Sequence, residues 1–358
     1  MILGIVKEIR DRRVALVPEM VVKFKSLGLD ILIEKDAGKA ASFPDTLYED
    51  VKFGSRDEVL KQADILISAD PLDEADYAKT KDKAWIISMF APYFDDSYVQ
   101  KLKSMGKEVI SMDMIPRTTL AQAMDVLSSM ASIAGYRAVL VAAEHLPRYF
   151  PMLITAAGSI RPSRVLVLGA GVAGLQAIAT ARRLGAAVEA FDTRAAAKEE
   201  VLSLGAKFIE VEGAKDDTAA GGYAVEQSEE FLKKQRALVQ ERASKSDVII
   251  TTAQVRGRKA PLLVPEETLL NMKPGSVVVD LAASTGGNCA LTEDGKVVHK
   301  HGITIVGNSS LSSDMPQDAS FLFSNNIFNF FKIFIQDGNV VEDKSHEIIH
   351  SAWLTKNN

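Results

Sequence analysis

Residues 164–192 read RVLVLGAGVAGLQAIATARRLGAAVEAFD, and the punctuation of that stretch decides the fold. A short apolar, β-branched run at 165–168 is followed by Gly169, Gly171 and Gly174 in the spacing G-x-G-x-x-G. An alanine-rich helical stretch then runs to Leu184 and stops at Gly185, and a second apolar run at 187–191 ends on Asp192. Each glycine answers a different steric demand. Gly169 permits a tight strand-to-helix turn, Gly171 lets a pyrophosphate approach the backbone, and Gly174 lets the helix pack closely on the strand. The helix N-terminus turns free N–H groups and a positive dipole end toward phosphates. Asp192 lies 18 residues beyond Gly174, at the end of the second strand. A carboxylate there holds ribose hydroxyls and disfavours a 2′-phosphate, which points to NAD; Arg194, close by, could accept that phosphate instead. Two blander readings stand beside this one. The unit could be a tight βαβ packing without ligand, or a membrane helix, since 165–181 is apolar apart from Gln176 and Thr180. The leading glycines and the closing Arg182-Arg183 suit a buried βα unit better.

Composition narrows the class. At 358 residues the chain is long enough for two domains, and 47% hydrophobic with 25% charged residues is ordinary for a globular protein with a sizeable core. The net charge is −5 and no stripe of Lys and Arg interleaved with aromatics occurs, which argues against nucleic-acid binding. A single cysteine, Cys289, excludes an internal disulfide framework and fits a reducing, cytoplasmic setting. In the opening MILGIVKEIRDRR, Lys7 and Glu8 prevent a signal-peptide core. No stretch reads as a convincing membrane span, so work at a membrane would need a partner.

Upstream of the glycine stretch, residues 1–115 alternate strand and helix patterns. Strands are expected at 2–6, 31–33, 64–68, 84–90 and 108–112, and helices at 18–27 and 96–105. A far longer helix-compatible stretch, 120–146, is interrupted by Gly135. Downstream, strands are expected at 207–211, 247–251, 276–280 and 303–306, and an aromatic-rich helix at 317–335 with Phe321, Phe328 and Phe331 sharing a face. The expected fold class is α/β: two Rossmann-like, doubly wound parallel-sheet domains joined by long helices, with the nucleotide in the cleft between them. The expected division is 1–127 plus 316–358 for a discontinuous first domain and 128–315 for the NAD-binding domain. The polar insert 215–222, KDDTAAGG, stands before Tyr223 and reads either as a mobile lid or as a plain surface loop.

Several motifs carry less than they promise. His346 to His350 matches H-E-x-x-H, but only eight residues follow and none is His, Asp or Glu, so a third zinc ligand is missing. The segment reads as a polar tail beyond the last core helix. His299 and His301 alternate around Lys300, as on one face of an exposed edge strand. No metal site is expected.

The stretches PRTTLAQAMDVLSSMASIAGY (116–136), ITAAGSIRPSRVLVLGAGVAGLQAIATARRLGA (154–186), AFDTRAAAKE (190–199), AGGYA (220–224) and MKPGSVVVDLAASTGGNC (272–289) are long and specific. Together they resemble the NAD(H)-binding component of proton-translocating nicotinamide nucleotide transhydrogenase, from the opening KEIRDRRVALVPEMV to the Phe-rich helix. Alanine dehydrogenase shares that fold and opening. The resemblance implies a homodimer that binds NADH, docks on a separate NADP(H)-binding component and a membrane-spanning component, and is held peripherally at the inner membrane by them. It implies that Arg117, Gln122 and Asp125 line the nicotinamide site, with Ser128 close behind. Arg117 and Asp125 would orient the carboxamide, and Gln122 would reach the ribose of the partner's NADP. Read without the resemblance, Arg117 and Asp125 are an ordinary helix-entry ion pair. Val172, Asp192, Arg194, Ala253 and Gln254 would contact the rest of NAD, and Gly222 and Tyr223 match the family's mobile loop. Two departures stand out: Thr118, Thr119 and Leu120 fill the gap where a basic residue is usual, and QVRGRKAP replaces a more apolar turn.

Chemistry separates the two related families. Oxidising alanine releases protons and passes through an imine that water attacks, so it needs general acid/base groups and a carboxylate clamp. Of the set that alanine dehydrogenase places for this, only Arg13 has a counterpart; Ser68-Ala69-Asp70, Met89-Phe90-Ala91-Pro92 and Ser284 stand where Lys, His and Asp would. Hydride exchange between two nicotinamides needs alignment and exclusion of water rather than proton handling. A third reading is an NAD-sensing module without turnover.

Overall fold

The computed structural model describes residues 1–211 and 229–356. Contacts divide the chain into two compact units, Met1–Met130 with Ser312–Asn358, and Ala131–Leu311.

The first unit is built on a six-stranded parallel sheet. Its strands are β1 (Ile2–Ile5), β2 (Asp30–Glu34), β3 (Lys52–Gly54), β4 (Ile65–Ile67), β5 (Trp85–Ser88) and β6 (Glu108–Ser111), in the order β3-β2-β1-β4-β5-β6. Helices α1 (Val21–Lys25), α2 (Arg56–Gln62), α3 (Glu74–Tyr77) and α4 (Ser97–Ser104) connect them. The strands are short and apolar because both faces of the sheet are covered; β4 and β5 are buried at every position. Two expected helices are remodelled. The first is a 3₁₀ turn, Pro18–Met20, running into α1. The second breaks at Asp125: a 3₁₀ helix covers Thr119–Met124 and α5 covers Val126–His145. Gly135 does not interrupt α5. A Cβ there would lie 2.1 Å from the carbonyl oxygen of Ala173, so the glycine serves a close helix approach. By length and composition α5 qualifies as a membrane span, yet Ala138, Val139 and Ala142 are fully buried in the core of the second unit.

The second unit begins within α5, at Ala131, and continues with an exposed hairpin that the hydrophobic pattern did not announce, β7 (Leu153–Thr155) and β8 (Gly158–Ile160). Its main sheet contains β9 (Arg164–Leu168), β10 (Ala187–Phe191), β11 (Lys207–Phe208), β12 (Val248–Thr251), β13 (Val277–Asp280), β14 (Lys296–Lys300) and β15 (Ile303–Gly307). The order is β11-β10-β9-β12-β13-β15-β14, parallel except for β14. Helices α6 (Val172–Arg183), α7 (Ala197–Ser203), α8 (Glu229–Ser244) and α9 (Glu266–Leu270) complete it. Register fixes where the loops start. Leu168 pairs with Phe191 on one side and Thr251 on the other, so β9, β10 and β12 end level. The strand order reverses at β9, the place where such sheets bind ligands. His301 is not on the edge strand with His299: β14 ends at Lys300 and His301 sits in the turn at φ +54°.

The chain then returns to the first unit through α10 (Pro316–Phe334), a small hairpin of β16 (Ile335–Gln336) and β17 (Asn339–Val340), and α11 (Glu347–Ala352). The buried face of α10 is Ala319, Phe323, Ile327, Phe330 and Phe334, with Phe331 beside it. Phe321 is 37% exposed, which corrects the expected Phe321–Phe328–Phe331 face. Phe330 and Phe334 recur at helical spacing behind Phe323 and Ile327, and only packing distinguishes the two stripes. The C-terminal segment is not a polar tail. Ile348, Ile349, Ala352 and Trp353 are buried, and Trp353 packs against Trp85 with ring centroids 5.0 Å apart.

Candidate functional site

The glycine turn of the second unit is shaped as its steric logic demands. Gly169 adopts φ +102°, and a Cβ on it would meet Thr252 Oγ1 at 2.5 Å. A Cβ on Gly174 would lie 1.9 Å from the Gly169 carbonyl oxygen, so strand and helix touch there. A Cβ on Gly171 would meet nothing within 4 Å: the space it leaves is open. Gly171 is also the N-cap of the twelve-residue α6, and Val172, the first helical residue, is 45% exposed. An open approach to a helix N-terminus fits a diphosphate, whose charge the free N–H groups complement.

Asp192, one residue past β10, reaches back into this turn. Its Oδ2 accepts from the Ala170 N–H at 2.7 Å, and its Oδ1 accepts from Arg194 N at 2.8 Å and Nε at 3.1 Å. Arg194 also donates to the Ala170 carbonyl at 3.2 Å. Hydrogen bonding to Asp192 raises the Arg194 pKa. The carboxylate therefore stands beside the glycine turn with the neighbouring cation already paired to it, an arrangement that disfavours a 2′-phosphate there.

The third wall is the loop after β12. Thr252 Oγ1 donates to the Gly169 carbonyl at 3.1 Å and ties this loop to the glycine turn. Ala253 is held by Asn288, whose Oδ1 accepts from its N–H at 3.1 Å and whose Nδ2 donates to its carbonyl at 2.9 Å. Gln254 Nε2 donates to the Leu281 carbonyl at 2.8 Å. Asn288 is anchored in turn by Asp280, a fully buried carboxylate that accepts from Thr251 Oγ1, Ala282 N, Asn288 N, Cys289 N and Thr292 Oγ1 at 2.7–3.0 Å. Sequence reasoning missed Asn288 and Asp280. The one signal available was their position, on either side of the glycine pair in DLAASTGGNC.

In the first unit, the segment 116–128 is presented by the break before α5. Ala121 and Met124 are buried, and α10 grips the segment by donation from Asn326 Nδ2 to the Ala123 carbonyl at 2.9 Å. Arg117 and Gln122 are exposed. The helix-entry ion pair is not formed. Asp125 instead accepts from Ser128 N at 2.9 Å and Ser128 Oγ at 2.6 Å, capping α5, and Arg117 has no ion-pair partner among the described residues. Gly222 and Tyr223 lie outside the described residues.

The first unit also holds a cavity of about 680 Å³, lined among others by Glu8, Arg10, Asp70, Phe90 and Tyr98. Arg13, which bonds the lining residue Asp70, is 5% exposed, with Nη2 at 2.6 Å from Asp11 and 3.3 Å from Asp70. Glu8 is 7% exposed and its pKa is pushed up to about 8, first by burial and then by the charges of Asp70 and Asp11.

Two domain families described as alanine dehydrogenase/PNT match the chain, the N-terminal domain over residues 4–134 and the C-terminal domain over residues 138–358. An NAD(P) transhydrogenase subunit alpha polypeptide of Rhodospirillum rubrum is 45% identical over 332 residues, 89% of this chain and 86% of its own length. The crystal structure of a transhydrogenase from Sinorhizobium meliloti superposes with a TM-score of 0.90 at 41% identity, covering 99% of this chain and 98% of that one. The alanine dehydrogenase of Mycolicibacterium smegmatis is 25% identical over 337 residues, 91% of this chain and 85% of its own length. The chain belongs to the alanine dehydrogenase/PNT family, and its similarity is greater to relatives named as transhydrogenase alpha subunits than to the alanine dehydrogenase.

Proposed function

We propose that this chain is the NAD(H)-holding subunit of a proton-translocating transhydrogenase. When bound, NADH supplies a hydride at its nicotinamide C4, delivered directly to NADP⁺ on a partner subunit. The chain's own residues bind and orient. The α6 N-terminus and Gly171 receive the diphosphate, Asp192 the adenosine ribose, and Ala253 and Gln254 the remainder. Arg117 and Asp125 orient the carboxamide, Ser128 supports Asp125, and Gln122 faces the partner's nucleotide. The subunit acts as a homodimer, in the cytoplasm, and meets the membrane only through its NADP(H)-binding and membrane-spanning partners.

The observation that carries this reading over alanine oxidation is the state of Arg13. A substrate carboxylate needs a free cation, and the Arg13 guanidinium is already bonded to Asp11 and Asp70. Arg10, at the rim of the same cavity, is paired to Asp73 at 2.8 Å. Such a cavity repels a carboxylate rather than clamping it. The test is stopped-flow mixing of the NADH-loaded chain with an NADP⁺-loaded partner subunit. Fast loss of NADH with matching gain of NADPH is expected. Alanine-dependent NADH formation by the chain alone supports the dehydrogenase instead, and NADH binding with neither reaction supports a sensor.

A further inference from the structure

Asn288 is fully buried and every polar group of its side chain is spent. Besides the two bonds to Ala253, Nδ2 donates to the Pro261 carbonyl at 2.8 Å. Its backbone is spent as well, with N donating to Asp280 Oδ2 at 2.8 Å and O accepting from Leu263 and Val264 at 2.8 and 2.9 Å. A side-chain amide bonded both ways to one residue imitates a neighbouring strand. It extends the order of β12 past the strand's end at Thr251.

Two consequences follow for the surface of the loop. Both polar backbone groups of Ala253 are engaged by Asn288; its one donor is spent, and it turns a methyl and a carbonyl that already holds one bond toward a ligand. Gln254 gives one amide N–H to the Leu281 carbonyl, which fixes the amide and leaves its second N–H and Oε1 for a ligand. β12 lies across the β9 switch from β10, whose end carries Asp192. The two halves of a dinucleotide lie on either side of such a switch.

We propose that Asn288, fixed by Asp280, is a positioning residue for the nicotinamide half of the nucleotide. It holds Ala253 and Gln254 so that the Ala253 methyl and the remaining polar groups of the Gln254 amide meet that half, while the adenosine half rests separately on the glycine turn and Asp192. This deepens the nucleotide-binding reading above and rests on it.

The experiment is titration of the wild-type chain and Asn288→Asp with NADH and with 5′-AMP, followed by hydride-transfer kinetics with the partner. The substitution keeps size and the acceptor for Ala253 N–H, but sets a carboxylate oxygen against the two carbonyls that Nδ2 serves. NADH should loosen about tenfold or more, as a lost buried hydrogen-bond set implies, with 5′-AMP unchanged within about twofold. At the same time kcat/KM for NADH should fall more than kcat. Equal loosening of both ligands, or no change in either, overturns the proposal. A wild-type chain that binds no NADH overturns the nucleotide-binding reading itself, so the two failures are distinct. If Asn288→Asp does not fold, Gln254→Met at the exposed end of the same loop must give the same split between NADH and 5′-AMP; its absence overturns the proposal.

Discussion

The same three-residue pattern occurs once in each unit, Asp11-Arg12-Arg13 in the first and Asp192-Thr193-Arg194 in the second. Locally the two are near copies. In both, the arginine N–H donates to Oδ1 of the aspartate at 2.8 Å, and its Nε donates to the same oxygen at 3.0 and 3.1 Å. Their surroundings differ. Arg13 and Asp11 are both 5% exposed, and Ser313 Oγ adds a further donor to Asp11 at 2.9 Å. Arg194 is 42% exposed and Asp192 10%, at the lip of an open glycine turn. Burial alone would push the Asp11 carboxyl up; the Arg13 bonds overturn this and hold it lowered. The first pair is locked into the fold, and the arginine of the second stands open to solvent.

Breaking the locked pair should cost most. Asp11→Ala strands a buried guanidinium with only Asp70 beside it, so unfolding in urea should show a loss of about 3–5 kcal/mol. A loss under about 1 kcal/mol would mean that Asp70 and water replace Asp11, and the contrast between the pairs would collapse. Asp192→Ala should instead leave stability within about 1 kcal/mol and act on ligand: NADH affinity drops about tenfold or more and the preference against NADPH narrows, read by fluorescence titration of both. Unchanged selectivity would remove Asp192 from the ribose site.

Glu8 sharpens the first half of the comparison because it titrates beside Arg13. Its folded pKa, about 8, lies above the ordinary carboxyl value of 4.5. The folded state therefore holds a proton that the unfolded chain releases. That contribution is complete below about pH 4.5 and is lost as pH rises through about 8. Glu8→Gln keeps an acceptor for the Ala69 N–H and removes the titration, so its melting temperature at pH 8.5 should exceed the wild type's by about 2 °C or more, with little difference at pH 5. An identical pH profile for both chains would contradict the raised pKa. The smallest effect belongs to Arg194→Ala. An exposed ion pair is worth about 0–1 kcal/mol, so stability should hold, with NADH affinity changed within about threefold in a calorimetric titration.

Much of the scaffold was legible in the residues. The strands appear near their expected places because a parallel sheet covered on both faces demands short, continuous apolar runs. The α/β class and the glycine turn follow from a local pattern of strand, turn and helix. Other features were not legible. The register of α10 offered two aromatic stripes, and packing in the first unit selected Phe323, Phe330 and Phe334. The last residues looked polar, yet Ile348, Ile349 and Trp353 are buried. Asp125 looked like a partner for Arg117 and became the cap of a helix whose start the periodicity placed too early.

The chain's chemistry thus divides by range. Residues close in sequence determined by themselves the turn glycines, the carboxylate at the end of β10 and the D-x-R bonding within each pair, because steric and hydrogen-bonding demands over a few residues do not depend on the remainder of the fold. Only the tertiary structure decided that Arg13 is sealed and Arg194 open, and that Asn288 reaches back 35 residues to hold Ala253. Burial and long-range partners are properties of the assembled core, and a linear pattern does not carry them.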